Sequence, residues 1–388
     1  MPFTTDMSRP HASLSSPLVF TALITLGLAV GSCTQPSPSV IKIGAAGPMT
    51  GDQSKMGIDL RNGVQLAVDE WNARGGVLGK KIVLLAEDDQ HDPKQAVSVA
   101  NKFANSGVVG VIGHWNSSAS IPASAVYHQA NIVMITPAST NPQLTEQGFA
   151  NVFRVCGRDD QQGPLAARFV RERFPTGAIV VLHDKTTYGQ GLAEQFQKSL
   201  GEGPRVVYTT GVTQGDKDFR AVLTTVKSKQ PDLIFFGGIY PEAGLLVRQA
   251  KELGLTAPFL SGDGTYDQKF PEIAGPAADG TYLTFGPDPA DFPRAQAFLA
   301  GYHQRFGPHG PYSIYAYDAA NILLTAIAQA GAVNGTKVAE TIKGLSYNGA
   351  QGEIRFDAKG DVLNAPYIVW VVKKGAFVRE WTPSHPAP

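Results

Sequence analysis

Short apolar, β-branched runs alternate with amphipathic helical stretches along most of this chain, and they do so in two rounds. The first round opens with Val40–Ala46. Gly57–Ala73 follows, with Leu60, Val64, Ala67, Val68 and Trp71 on one helical face, stopped by Gly75-Gly76. Lys81–Ala86 reads as a strand closed by Glu87-Asp88-Asp89. Asp92-Pro93 caps a helix through Phe103, Val108–Ile112 is a strand, a helix begins near Ser117, and Ile132–Ile135 is a fourth strand. The second round reads strands at Ala178–Leu182, Val206–Thr209, Leu233–Phe236 and Phe259–Leu260. Its helices are Gln161–Phe174, Gly191–Leu200, Phe219–Lys229 and Glu242–Leu253. Two helical segments, Ala290–Phe306 and Ser313–Ala330, and two strand-like runs, Ile354–Phe356 and Tyr367–Val372, complete the chain. This alternation predicts an α/β protein of two doubly wound lobes with parallel sheets, covered on both faces by helices. Ligands of such sheets sit at the carboxyl ends of the strands.

The bulk numbers agree with a large globular core. Of 388 residues, 43% are hydrophobic and 17% charged, which excludes disorder. The 33 lysines and arginines balance 33 aspartates and glutamates without a basic run, so no nucleic-acid footprint is expected. Two cysteines, Cys33 and Cys156, exclude a disulfide scaffold or a cysteine-rich metal cluster.

Residues 1–32 read as a signal peptide. Arg9 precedes an apolar stretch, Pro17–Val30, of about 14 residues, short of the roughly 20 that span a bilayer. The tetrad Val30-Gly31-Ser32-Cys33 resembles a bacterial lipobox, which implies lipidation of Cys33 and an anchor in the membrane. Ordinary signal cleavage nearby is the alternative. Residues 33–39 form a tether.

Catalytic signatures are missing. Gly75-Gly-Val-Leu-Gly-Lys80 lacks P-loop spacing and hydroxyl, Gly44-Ala-Ala-Gly47 lacks dinucleotide spacing, and no His-Glu-x-x-His, Cys-x-x-Cys or Gly-x-Ser-x-Gly occurs. His114 and His183 both end strands, so a shared role competes with two structural histidines. Glu87-Asp88-Asp89 reads as a strand cap rather than a cation site, and Cys156 as a small buried residue. The expectation is a binding protein without cofactor or metal.

The strand-end loops supply the chemistry instead. One lobe offers His114-Trp-Asn-Ser-Ser118 and Thr136-Pro-Ala-Ser-Thr140; Ser117 or Ser118 opens a helix whose N-terminus suits a carboxylate. The other offers Asp263 on a glycine-rich loop. Together they suit a zwitterion, because burying an ammonium without a counter-charge costs several kcal/mol. Hydroxyls that merely cap the following helices remain the competing reading.

Several stretches carry a family resemblance: Asp88-Asp89-x-x-Asp92-Pro93-Lys94-Gln95-Ala96, Val111-Ile112-Gly113-His114, Thr140-Asn141-Pro142, Gln162-Gly163-Pro164, His183-Asp184-Lys185-x-x-Tyr188-Gly189-x-Gly191 and Tyr240-Pro241-Glu242. In this order the chain resembles the type I periplasmic solute-binding proteins for branched-chain amino acids. The resemblance implies a Venus-flytrap of two lobes joined by three crossovers, residues 40–158 plus 286–360 and residues 159–285 plus 361–388. It implies ligand binding by the hydroxyls of Ser117 and Thr140, the backbone of Ala138 and Ser139, Tyr188 closing from the second lobe, and Asp263 on the ammonium. Met56 and Ile239, with Tyr240 beside it, stand where the family has aromatic pocket walls. The cysteine pair of some members is replaced by His91 and Asn116. The implied protein is an exported monomer, in the periplasm or on the outer face of the membrane, that passes a free aliphatic amino acid to an ABC permease. A sensor of amide or urea-type ligands on the same fold is the alternative, and a secreted α/β hydrolase a third reading.

Overall fold

The computed structural model describes residues 40–363 and 365–383; the signal-peptide, tether and Cys33 readings lie outside them. The first lobe is built on β1 (Ile41–Gly47), α1 (Ser54–Ala73), β2 (Ile82–Asp88), α2 (Pro93–Asn105), β3 (Val108–Ile112), α3 (Ser117–Gln129), β4 (Val133–Thr136), α4 (Gln143–Glu146) and β5 (Val152–Arg154). These strands form one parallel sheet in the order β2-β1-β3-β4-β5.

The chain then crosses to the second lobe through α5 (Asp159–Arg173), β6 (Ala178–His183), α6 (Thr187–Ser199), β7 (Arg205–Gly211), α7 (Arg220–Ser228), β8 (Leu233–Gly237), α8 (Tyr240–Glu252), β9 (Phe259–Ser261), α9 (Lys269–Ala274) and β10 (Tyr282–Phe285). It returns to lobe one with α10 (Ala295–Phe306), α11 (Ser313–Ala330), α12 (Gly335–Lys343) and a hairpin of β11 (Tyr347–Gly349) and β12 (Gly352–Ile354). A third crossing leads to β13 (Ile368–Lys373) and β14 (Ala376–Trp381), which join the second sheet antiparallel in the order β14-β13-β10-β9-β8-β6-β7. The architecture is two α/β lobes joined by three crossovers.

Each sheet hides its central strands on both faces: β6 and β8 run Ala-Ile-Val-Val-Leu-His and Leu-Ile-Phe-Phe-Gly, and every residue of β8 is buried. Helix α1 buries Met56, Leu60, Val64, Ala67 and Val68 and packs on α11, which comes from the returning segment. Gly63 permits that crossing, since a Cβ there would lie 2.3 Å from the Ser313 carbonyl oxygen. Helices α2 and α3 pack together and share a buried cluster with β3, and α5 packs on α6 in the second lobe. Helix α10 starts later than its periodicity suggests, at Ala295, because Pro289–Asp291 forms a separate 3-10 turn. No helix among the described residues is long and apolar enough to cross a membrane.

In both sheets the strand order reverses, between β1 and β3 in one and between β6 and β8 in the other. A reversal leaves a crevice at the carboxyl ends, where neighbouring loops diverge. Side chains beyond β3, β4, β6 and β9 line a common cavity between the two lobes.

Candidate functional site

That interlobe cavity encloses about 340 Å³, counting its mouth. Trp115, Ser117 and Ala138 line it from the first lobe and Tyr188, Ile239 and Asp263 from the second. The lobes touch around it. Asn141 donates to the Thr187 carbonyl at 2.8 Å, the Tyr240 hydroxyl to the Asp52 carbonyl at 2.5 Å, and Lys217 pairs with Asp52 at 2.6 Å.

The first-lobe loops are held from behind. His114 is fully buried, with Nδ1 2.7 Å from Asp89 and Nε2 2.9 Å from the Tyr127 hydroxyl. Its carbonyl accepts from the hydroxyls of Ser120, Thr136 and Ser139. This engagement makes His114 a structural residue of the first lobe, while His183 sits half-buried in the second and outside the cavity lining. Asp88 caps the neighbouring loop by accepting from the Met49 amide at 2.8 Å.

The two loops differ in what they leave free. Ser117 is the first residue of α3, where the leading amides have no intrahelical acceptor, and its hydroxyl accepts from the Asn141 amide at 3.2 Å. In the second loop the Thr136 hydroxyl accepts from both the Ala138 and Ser139 amides. The amides of the expected Ala138 and Ser139 backbone cradle are therefore already engaged internally. Ser139 has nothing to spare, because its carbonyl accepts from Arg154 and its hydroxyl is bonded to Ser120, His114 and Trp115. Thr140 differs: its hydroxyl is buried without a hydrogen-bond partner.

Asp263 lines the cavity opposite this cradle, and a second buried acid, Asp159, lies close to it. Asp263 opens a 3-10 turn after β9, and its oxygens accept from the hydroxyls of Tyr188, at 2.8 Å, and Tyr312. Burial raises its pKa, countered by Tyr312, Tyr188 and Gln162. Tyr188 is fixed in turn, accepting from the Gly264 amide at 2.9 Å. Asp159, the first residue of α5, is fully buried with neither carboxylate oxygen closing a hydrogen bond. Its pKa stands well above the usual carboxylate range, first through burial and then through the charge of Asp263; the adjacent Thr140 hydroxyl and Arg154 pull the other way. Arg154 itself is committed to Asp361 on the third crossing at 2.5 Å.

The sequence reading did not single out Asp159, whose position looks like any acid in the first turn of a helix. Nor did it single out Tyr312, which meets Asp263 from α11's leading edge and stands edge-on to Trp115 at 5.8 Å. Asp184, also on the cavity, has one oxygen held by Thr186 and the other unpartnered; burial pushes its pKa up to about 7.

Two expected wall residues lie elsewhere. Met56 is wholly inside the core of its own lobe, and Tyr240 reaches Asp52 outside the cavity. Trp115 and Tyr188 supply the aromatic lining beside Ile239. Cys156 is a buried free thiol 3.7 Å from the Ser139 carbonyl. No group of three or more metal-ligating side chains occurs among the described residues.

Comparison with known proteins gives a consistent picture. A family model described as periplasmic binding protein matches residues 40–376. The Leu/Ile/Val-binding protein homolog 2 of Brucella abortus is 41% identical over 337 residues, covering 86% of this chain and 91% of that protein. The leucine-, isoleucine-, valine-, threonine-, and alanine-binding protein of Pseudomonas aeruginosa is 38% identical over 363 residues, 92% of this chain and 96% of its own. Among solved structures, the leucine-binding protein LivK of Thermotoga maritima superposes with a TM-score of 0.81 at 32% identity, covering 89% of this chain and 99% of its own. The branched-chain amino acid transporter substrate-binding protein LivJ of Streptococcus pneumoniae, solved with isoleucine, gives a TM-score of 0.80 at 29% identity, covering 87% and 98%.

Proposed function

The chain belongs to the periplasmic binding protein family, and on that premise we propose that it captures a free aliphatic amino acid between its lobes and delivers it to an ABC permease. The family is one of solute-binding proteins, not of enzymes, and it works outside the cytoplasm. The ligand carboxylate rests on the leading amides of α3 and the Ser117 hydroxyl. The ammonium sits among Asp263, Asp159, the Thr140 hydroxyl and the Ala138 carbonyl. The side chain lies against Ile239, Trp115 and the ring of Tyr188.

One observation carries this reading: Asp263 lines the cleft as a fully buried carboxylate without a cationic partner, and the buried Asp159 close to it is likewise without a cation in hydrogen-bond contact. Unpaired buried charge is unfavourable by several kcal/mol, so the site is built to be completed by a cation. A neutral amide or urea would leave both acids uncompensated. Calorimetric titration with leucine, isoleucine and valine tests the reading. Stoichiometric binding of at least one, lost in Asp263→Ala, supports it; no binding, or unchanged affinity in that variant, refutes it.

The same reading extends to the rest of the chain. Lobe boundaries fall near Arg158, Gly286 and Gly360. Residues 1–32 direct export, Cys33 carries a lipid anchor, and residues 33–39 tether the lobes to the membrane; the tetrad ending in Cys33 supports this. The cleft is complete within one chain, which supports a monomer.

A further inference from the structure

Behind the contact of Tyr312 with Asp263 lies a second cavity, of about 590 Å³ counting its mouth, larger than the interlobe one. Residues of all three crossovers line it, among them Gly157, Gly286 and Pro366. Its walls are aromatic. Phe285 meets Tyr312 edge-on at 5.4 Å and Tyr315 at 6.2 Å, and Tyr367 packs over Gly157, where a Cβ would come within 2.4 Å of its ring. The hydroxyls of Tyr315 and Tyr367 have no hydrogen-bond partner among the described residues, and Tyr367 is only 8% exposed. The charged side chains on the lining are Asp263 and Glu353, both acidic; no lysine, arginine or histidine lines the cavity. Glu353 accepts from the Ser346 hydroxyl at 2.6 Å and pairs with Arg355, which does not line the cavity, at 3.5 Å.

Aromatic faces attract a cation through their quadrupoles, and free phenolic oxygens can accept from an ammonium. With two acids and no basic side chain on its lining, Arg355 reaching Glu353 from off the lining, the cavity disfavours anions. We propose that this hinge cavity is a second ligand site, for a small primary amine with an apolar body, sharing only Asp263 with the interlobe lining and coupled to lobe closure. The coupling follows from the lining: lobe movement must displace the crossovers, and the cavity exists in the shape that their present arrangement gives it. An occupant that fits this arrangement favours it, and by linkage tightens whatever ligand also favours it.

Benzylamine is the probe, with benzyl alcohol as its uncharged counterpart, titrated into the full protein already saturated with leucine. The expected result is one benzylamine per chain, at least tenfold weaker binding of benzyl alcohol, and a lower leucine Kd at saturating benzylamine. Ala365→Trp, which fills the cavity, abolishes amine binding while leucine still binds. Tyr315→Leu, which removes one ring and one free hydroxyl, weakens it roughly five- to tenfold. Benzylamine that leucine displaces, that binds Ala365→Trp and Tyr315→Leu as well as it binds the wild type, or that does not bind at all overturns the site. Equal binding of the alcohol overturns its charge selectivity, and an unmoved leucine Kd overturns the coupling. If leucine itself does not bind, the same titrations on the free protein and the two variants still decide this cavity separately from the cleft.

Discussion

Asp263 opposes the ionisation of Asp159: after burial, its charge is the largest influence holding the Asp159 carboxyl above the usual range. Like charges in one dry site destabilise the empty protein, and a ligand ammonium relieves both at once. Binding and stability should therefore respond in opposite directions.

Asp159→Asn tests this trade. The variant should lose leucine affinity by about 100-fold or more, since a buried counter-charge is gone. Its unliganded form should melt at a higher temperature than the wild type, because Asp263 no longer faces a second acid. Calorimetry and thermal unfolding, on the same preparation, give both signs.

The division between what could and could not be read in the residues has physical causes. Strands such as β6 and β8 announce themselves because a parallel strand is apolar on both faces. The three residues of β5 and four of β10 do not, because sheet pairing rather than local pattern defines so short a strand. Exposed β14, an edge strand, has only the short apolar run Ala376-Phe377-Val378 before Arg379-Glu380. At the site, loops beyond strand ends pointed to Ser117 and Asp263, since a doubly wound sheet leaves its crevice there. Met56 lies one helical turn before Leu60 and two before Val64 on α1's buried stripe, so its spacing already turned it toward the lobe's core. The free capacity of Ser139 was not legible, because it depends on hydrogen bonds to the Thr136 hydroxyl and from Arg154 that only the fold brings together.

A pH dependence follows from Asp184. Its folded pKa, about 7, lies above the ordinary aspartate value of 3.8. A carboxyl raised on folding stabilises fully below its unfolded pKa, and that contribution is lost as pH rises through the folded one. Asp318, raised to about 6, acts in the same sense. The unliganded protein should thus lose stability from about pH 4 to 7 through these groups. Asp184→Asn should flatten that slope and raise the melting temperature at pH 7.5, measured by thermal scans across this range.

The first and third crossings are tied by Arg154 and Asp361, and Arg154 also donates to the Ser139 and Asn141 carbonyls. Arg154→Met leaves Asp361 paired with Arg158 alone and strips the Ser139 and Asn141 carbonyls of their donor, and should destabilise the protein by about 1–3 kcal/mol in urea unfolding. Leucine affinity should fall too, because the loop carrying Thr140 loses its anchor.

Closure around the ligand is held in part by the Tyr240 hydroxyl on the Asp52 carbonyl. Tyr240→Phe removes one hydrogen bond of about 1 kcal/mol, so ligand should leave roughly fivefold faster with little change in association rate. Stopped-flow displacement separates the two rates.

The central claim is that both buried acids serve the ammonium of the ligand, and 4-methylpentanoate, which is leucine without that group, tests it most directly. It should give no binding at concentrations a thousandfold above the leucine Kd, because it adds a carboxylate beside buried acids and supplies nothing to neutralise them. Binding within tenfold of leucine would contradict the assignment of Asp159 and Asp263.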